Sequence, residues 1–167
     1  MLEFQKQDCD LTLQEGLGCY YLSFSDSAEI IEDGEESGNL LRNHDCTHVI
    51  FGLDTSIEQE SILDSWVLWG SSYRLSYLMK YRKIPEIKEL TQNLIKEFGI
   101  TGFLKLYWRV ASAKRKVIFR TFKMNEKWPF KVPEEYLTMK IYDLREKHGI
   151  KILLPEERRY TPVERLG

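Results

Sequence analysis

The stretch RNHDCTHVIFGLDTSIEQE, residues 42–60, holds the side chains in this chain that are best suited to chemistry. Two of the three histidines, His44 and His48, lie here, with Asp45 between them and Glu60 at the end. Residues four apart share one face of a helix, so both imidazoles would point the same way. A second, antiparallel helix would bring the Glu60 carboxylate to the same point. The spacing therefore predicts a site where these side chains hold one ion.

The residue types indicate a divalent metal ion. Two neutral nitrogens with one or two carboxylates suit zinc or ferrous iron, and the types alone do not decide among Zn, Fe and Mg. Asp45 lies about 100° round the helix from His44, so it is either a ligand or a group that orients a ligand. Three further carboxylates compete for the same role: Asp54, Glu58 and Asp64. The alternative interpretation is that the two histidines are only a polar helix face.

Two classes of enzyme carry similar strings. A zinc protease needs HExxH, whose glutamate is the general base, and Asp45 is one methylene shorter than that glutamate. HD phosphohydrolases also have an adjacent His-Asp pair, but they need a further histidine upstream, and none precedes His44. Both interpretations are weakened by the missing residues.

Helix signals dominate the rest of the chain, so we predict an all-α fold, a single bundle-like domain over residues 1–167. The acidic residues 25–38 are predicted to be a short helix plus a loop, and the tail, residues 151–167, is predicted to be extended. The predicted helices are 11–24 after Asp10 as cap, 39–51 before Gly52 as stop, 55–81 from a Thr55–Glu58 capping box, 85–99 from Pro85 to Gly99, 102–124, and 133–149.

Composition limits the classes of partner and compartment. The net charge of −2 argues against nucleic acid as a partner. The three cysteines have no CxxC spacing, so we expect reduced thiols and no disulfide. The amino terminus lacks the patterns of a signal or transit peptide. These features predict a cytoplasmic protein, with peripheral membrane contact as a further expectation.

The string HDCTHVIFG, followed by Thr55 and by Glu60 twelve positions after His48, closely resembles the signature of a ubiquinone biosynthesis family, the coenzyme Q protein numbered four. The segment LREKHGI, residues 144–150, resembles the end of that family's last helix. The resemblance implies that His44, Asp45, His48 and Glu60 are the metal-site and catalytic residues. It also implies an all-helical domain with an apolar cavity for a polyprenyl chain beside the metal.

The family is associated with ubiquinone assembly and with replacing the ring carboxyl of a prenylated hydroxybenzoate by hydroxyl. The resemblance therefore implies a metal-dependent protein that supports oxidative decarboxylation of a polyprenylated aromatic acid. Its expected partners are that prenyl lipid, other ubiquinone biosynthesis proteins and a second copy of the chain. The alternative is a non-catalytic prenyl-lipid carrier or scaffold of the biosynthetic complex.

Two predicted helices carry side chains for lipid contact. The third helix is apolar around most of its circumference, which predicts either a prenyl-binding groove or a central core helix. The groove residues would be Ile62, Leu63, Trp66, Val67, Gly70 and Tyr73. The fifth helix has a basic stripe within about 60° of arc, which predicts either an anionic membrane surface or a solvated face. That stripe contains Lys105, Arg109, Lys116 and Arg120.

Overall fold

The computed structural model describes residues 1–23, 35–73 and 85–158. Most of this part is α-helical, which confirms the all-α prediction, and its only β pairing is two isolated bridges. Within these ranges, none of the helices combines the length and hydropathy needed to cross a bilayer. The α-helices are α1 (Leu13–Leu22), α2 (Glu35–Phe51), α3 (Ile57–Gly70), α4 (Pro85–Thr121) and α5 (Ile141–His148), and short 3-10 segments cover Glu3–Gln5, Glu134–Thr138 and Pro155–Arg158.

Helix α1 begins two residues later than Asp10 would place it. The Thr12 hydroxyl accepts from the Glu15 backbone N–H at 3.2 Å, and the Glu15 carboxylate accepts from the Thr12 N–H at 2.8 Å. This capping box makes Thr12 the cap, so the prediction of Asp10 is wrong. Helix α2 ends where predicted, because Gly52 adopts a φ of 68°.

Helix α3 is shorter than the prediction of 55–81. No side-chain hydrogen bond caps its first turn at Ser56, so the predicted Thr55–Glu58 capping box is wrong. At the other end, Ser71 is extended and its hydroxyl donates to the Val67 carbonyl at 2.6 Å. Trp128 bridges to Ser71 from a distant part of the chain, and this pairing stops the helix. Residues 74–81 lie outside the described part.

The long helix α4 joins the two helices predicted at 85–99 and 102–124. Gly99 has non-helical backbone angles (φ 58°, ψ 176°), so the helix is kinked where the break was predicted. The predicted last helix is divided into a 3-10 segment and α5, with Met139 and Lys140 extended between them. Helix α2 begins at Glu35, four residues before the predicted start at Asn39. Residues 24–34, which include most of the acidic stretch, and residues 159–167 of the tail lie outside the described part.

The segment before α1 pairs with the chain just before α5. The Leu13 N–H donates to the Met139 carbonyl at 2.9 Å, and the Ile141 N–H donates to the Leu11 carbonyl at 2.8 Å. Gly16 lies under this junction, where an added Cβ would be 2.7 Å from side-chain atoms of both Ile141 and Val49. Helix α1 is therefore packed tightly against both α2 and α5.

Arg145 on α5 is fully buried and joins distant parts of the fold. Its guanidinium has no carboxylate partner among the described residues, and it donates only to backbone carbonyls. Two of these carbonyls belong to the last turn of α2, where four carbonyls lack a partner within the helix. The acceptors are Phe4 (2.7 Å), Ile50 (2.8 Å), Val49 (3.0 Å), Gln7 (3.4 Å) and Lys6.

Candidate metal centre

Helices α2 and α3 bring three of the four predicted site residues to one point. His44 and His48 lie one turn apart on α2, and Glu60 lies in the first turn of α3, after the reversal at Gly52. The Nε2 atom of His48 is 3.0 Å from one Glu60 carboxylate oxygen, and the Nε2 atom of His44 is 3.5 Å from the other. One ligand atom from each residue lies within 4.8 Å of the other two. This arrangement can hold a metal ion.

Helix α1 fixes the orientation of the inner histidine. The Tyr20 ring stacks on the His48 ring with centroids 5.0 Å apart and an angle of 29° between their planes. His48 is only 1% exposed, so the two histidines do not form a solvated helix face. The Nδ1 atom of His48 is buried and has no hydrogen-bond partner among the described residues. Stacking on Tyr20 and the contact of Nε2 with Glu60, rather than a hydrogen bond at Nδ1, therefore hold this imidazole.

Asp45 lies beside the ligand cluster rather than within it. One of its carboxylate oxygens is 3.7 Å from His44 Nδ1, on the side of the ring away from Glu60. The other oxygen accepts from the Tyr21 hydroxyl at 2.9 Å. A carboxylate placed on the distal nitrogen of a metal-binding histidine fixes the tautomer and orientation of the ring. This geometry favours Asp45 as the group that orients His44.

The charges of the cluster reinforce one another. Burial opposes a charged imidazole at His44, but its contacts with Asp45 and Glu60 outweigh burial and raise its pKa to about 9. Burial likewise opposes the ionised Glu60, yet the two histidines lower the pKa of its carboxyl well below the usual range. Burial and Asp45 together raise the pKa of the Tyr21 hydroxyl, so Tyr21 remains a proton donor to Asp45 at neutral pH.

The competing carboxylates have other partners or positions. Asp54 accepts from the Ser56 hydroxyl at 2.6 Å, just before α3. Glu58 pairs with Arg109 on α4 at 3.0 Å. Burial and the neighbouring Glu60 raise the pKa of the Asp64 carboxyl, but its oxygens are outside the cluster of three. Among the described carboxylates, Glu60 is therefore the one that completes the candidate site.

Comparisons with models of known protein families, with curated proteins and with solved structures give no match to this chain.

The predicted prenyl-binding residues of α3 lie mostly inside the protein. Ile62, Leu63 and Trp66 are at most 1% exposed, and Trp66 stacks on Phe51 with ring centroids 4.6 Å apart. An added Cβ at Gly70 would be 3.0 Å from the Thr121 side chain, so its small size lets the end of α4 pack closely. Val67 and Tyr73 are partly buried. Prenyl binding by these six residues stays a prediction.

The predicted basic stripe is partly neutralised by other helices. Arg109 pairs with Glu58, and both Lys116 and Arg120 pair with Glu157 at 3.2 Å and 2.9 Å. Lys105 is exposed and makes no ion pair with a described residue. The basic residues are thus largely tied to the protein, while apolar side chains of the same helix face outward.

Sequence reasoning missed two groups that support the site. Tyr21 lies in α1 and donates to Asp45. The sequence predicts the helix but offers no signal that would place the Tyr21 hydroxyl beside Asp45. Arg145 holds the end of α2 just beyond His48, and it lies in the segment LREKHGI, residues 144–150. The sequence does not show the role of Arg145, because that role depends on which distant backbone carbonyls accept from its guanidinium.

Proposed function

We propose that this chain is a metal-dependent ubiquinone biosynthesis protein of the coenzyme Q protein four type, acting on a polyprenylated aromatic acid. One observation carries the proposal: ligand atoms of His44, His48 and Glu60 lie within 4.8 Å of one another. These are the residues that the motif resemblance assigns to the metal. Two imidazole nitrogens and one carboxylate are a donor set suited to zinc or ferrous iron.

The residues around the cluster have separate tasks in this proposal. His44, His48 and Glu60 hold the ion, and Asp45, itself held by Tyr21, keeps the Nε2 atom of His44 directed at the site. The side chain of Glu60 is 43% exposed, whereas that of His48 is 1% exposed, so the Glu60 side is the one open to a substrate. A bound divalent ion supplies Lewis acidity that polarises carboxyl and phenol oxygens of a substrate.

The proposed reaction replaces a ring carboxyl by hydroxyl on a prenylated hydroxybenzoate. The carboxyl carbon leaves as carbon dioxide, and one atom of dioxygen becomes the new hydroxyl oxygen. The other oxygen atom leaves as water, which takes two protons and two electrons from a reductant such as ascorbate or a reduced nicotinamide. The prenyl chain needs an apolar surface next to the ring. Ile62 and Leu63, directly after Glu60, are packed in the core, whereas Leu68 and Trp69 farther along α3 are exposed. We infer that the aromatic head enters at Glu60 and that its chain extends along α3.

The first experiment is elemental analysis of purified wild-type protein beside His48→Ala and Glu60→Gln, with co-purifying lipids extracted and identified. We expect a stoichiometric divalent metal in the wild type and its loss in both variants. Glu58→Gln is the matched control, because Glu58 lies two residues from Glu60 but pairs with Arg109. Metal retained in both His48→Ala and Glu60→Gln would show that the site assignment is wrong.

A second experiment tests turnover separately from binding. Protein loaded in turn with Zn, Fe or Mg is mixed with a prenylated hydroxybenzoate and ascorbate as the reductant under air, and the hydroxylated product is measured by mass spectrometry. Product formed by the wild type and Glu58→Gln, but not by Glu60→Gln, supports catalysis. A bound metal and a co-purifying prenyl lipid without any product would favour the carrier or scaffold role instead.

A further inference from the structure

The second half of α4 carries two apolar stripes on opposite sides. One stripe enters the core and consists of Leu106, Val110, Ala113 and Val117. The other faces solvent and lies within about 120° of arc at 100° per residue. Its members are Leu104 (57% exposed), Tyr107 (58%), Trp108 (76%), Phe119 (70%) and Phe122 (72%). A helix that packs on one side only does not need the second stripe for folding.

Helix α3 extends this outer surface. Trp69 is 47% exposed, and its ring centroid is 6.4 Å from that of Phe122. The exposed rings of the two helices meet at Trp69 and Phe122. We call Trp69, Leu104, Tyr107, Trp108, Phe119 and Phe122 the aromatic face. On α4, Trp108 and Phe119 lie about 16 Å apart along the helix axis, with Arg115 on the same side between them. Exposed aromatic rings gathered on one side of a protein indicate an interaction site.

The charged residues in this half of α4 all have the same sign. Residues 101–123 contain seven Lys or Arg and no Asp or Glu, although the whole chain has a net charge of −2. Lys105, Arg115 and Lys123 are exposed and make no ion pair with a described residue. By helical geometry, Arg115 lies within the arc of the aromatic face, and Lys105 lies at its edge. The surface thus combines exposed aromatic rings with uncompensated positive charge.

The positive charge of this surface favours one of two candidate partners, a second copy of the chain or an anionic lipid surface. A second copy of the chain meeting through this face about a two-fold axis would bring Arg115 and its neighbours against the same positive surface. An anionic lipid surface instead complements the charge, and Trp and Tyr side chains are favoured at the level of the headgroups. Charge complementarity therefore favours a membrane surface over self-association.

We propose that the aromatic face docks on the surface of an anionic lipid bilayer. The aromatic rings enter the headgroup region, and Lys105, Arg115 and Lys123 contact the lipid phosphates. The sequence predicted that the basic stripe would form the membrane surface. In this proposal the apolar side chains of the aromatic face contribute most of the binding, and Lys105 is the residue of that stripe that takes part. The proposal is independent of the metal centre, since none of its residues belongs to that site.

Vesicle flotation tests the proposal with the full chain. Vesicles of phosphatidylcholine are compared with vesicles that also contain phosphatidylglycerol, at low and high salt. We expect binding to the anionic vesicles that weakens as salt rises. Tryptophan fluorescence gives a second readout, because Trp66 and Trp128 are 0% exposed while Trp69 and Trp108 are exposed. A blue shift on binding therefore reports the aromatic face.

Two sets of variants separate the apolar and the charged contributions. Trp108→Ser combined with Phe119→Ser should weaken binding about tenfold or more, because two rings no longer enter the membrane. Tyr142→Ser on α5 is the matched control, an aromatic residue 40% exposed outside the aromatic face.

For the charges, Lys105→Gln, Arg115→Gln and Lys123→Gln should each weaken binding about fivefold, from about 1 kcal/mol per basic residue near an anionic surface. Lys140→Gln is the control, since Lys140 pairs with Asp10 at 2.9 Å away from this surface.

Several outcomes would overturn the proposal. These are no binding to anionic vesicles, equal binding to neutral vesicles, or unchanged binding of the Trp108→Ser, Phe119→Ser protein. Sedimentation of the same proteins tests the other partner. A wild-type dimer that this double variant converts to monomer, without vesicle binding, would assign the face to self-association. Metal content measured on each variant should equal that of the wild type, so failure here is distinct from failure of the metal site.

Discussion

Replacing Arg145 with methionine should destabilise the fold strongly, although Arg145 has no charged partner among the described residues. The change removes the donor from the backbone carbonyls of Phe4 and Ile50, both 0% exposed, while the Val49 carbonyl keeps the Gly52 N–H at 3.2 Å. Each buried acceptor without a partner costs about 1–3 kcal/mol, which gives roughly 2–6 kcal/mol for two. Removing the buried charge offsets part of this cost. We therefore expect a net loss of about 1–4 kcal/mol in the free energy of unfolding.

Urea unfolding followed by circular dichroism measures this loss. Arg115→Met is the matched control, since Arg115 is exposed and should change stability by less than about 0.5 kcal/mol. If Arg145→Met does not fold, Arg145→Lys serves in its place, because one ammonium group can reach only some of the five carbonyls. A loss below about 1 kcal/mol for Arg145→Met would refute the reasoning that these backbone groups depend on the guanidinium.

Three further changes test other parts of the structure. Gly16→Ala should lower the free energy of unfolding by about 1–3 kcal/mol, because the added Cβ would overlap packed side chains. Gly18→Ala should raise it by about 0.5–1 kcal/mol, because an added Cβ there has no atom within 4 Å. Changes of the same sign in thermal unfolding of both variants would contradict this packing. Asp45→Asn should raise the metal dissociation constant roughly 10–100-fold by isothermal titration, and an unchanged value would remove its orienting role at His44. Burial lowers the pKa of the His148 imidazole below 6.5, so unfolding free energy should fall as pH drops below 6.5 in the wild type. His148→Phe should reduce that slope in urea titrations between about pH 5 and 6.5, and equal slopes would show that this histidine is not responsible.

The core of the candidate site could be predicted because it depends on local rules. Two histidines four apart share a helix face, and Gly52 ends that helix so that the next one returns with Glu60. No long-range information is needed for these steps. The role of Asp45 could not be fixed, because its second partner, Tyr21, comes from a helix whose packing the pattern does not specify.

Predictions of the helices failed where distant residues compete for backbone groups. Helix α3 was predicted to continue past Ser71, but Trp128 pairs with the backbone there. The last helix is divided because Met139 and Ile141 form hydrogen bonds with the segment before α1. On α4, periodicity identified apolar residues but not which stripe enters the core, since that choice depends on the position of α3.

The pairing of Leu11 and Leu13 with residues 139–141 has a consequence for the order of folding during synthesis. These partners are separated by about 130 residues, so the hydrogen bonds that anchor the start of α1 cannot form until nearly all of the described chain has been made. At ribosomal rates of about 5–20 residues per second, that delay is roughly 6–26 s. The Tyr20 ring that stacks on His48 belongs to the same helix. On the ribosome, α2 and α3 therefore emerge well before the last contact that secures α1 beside them.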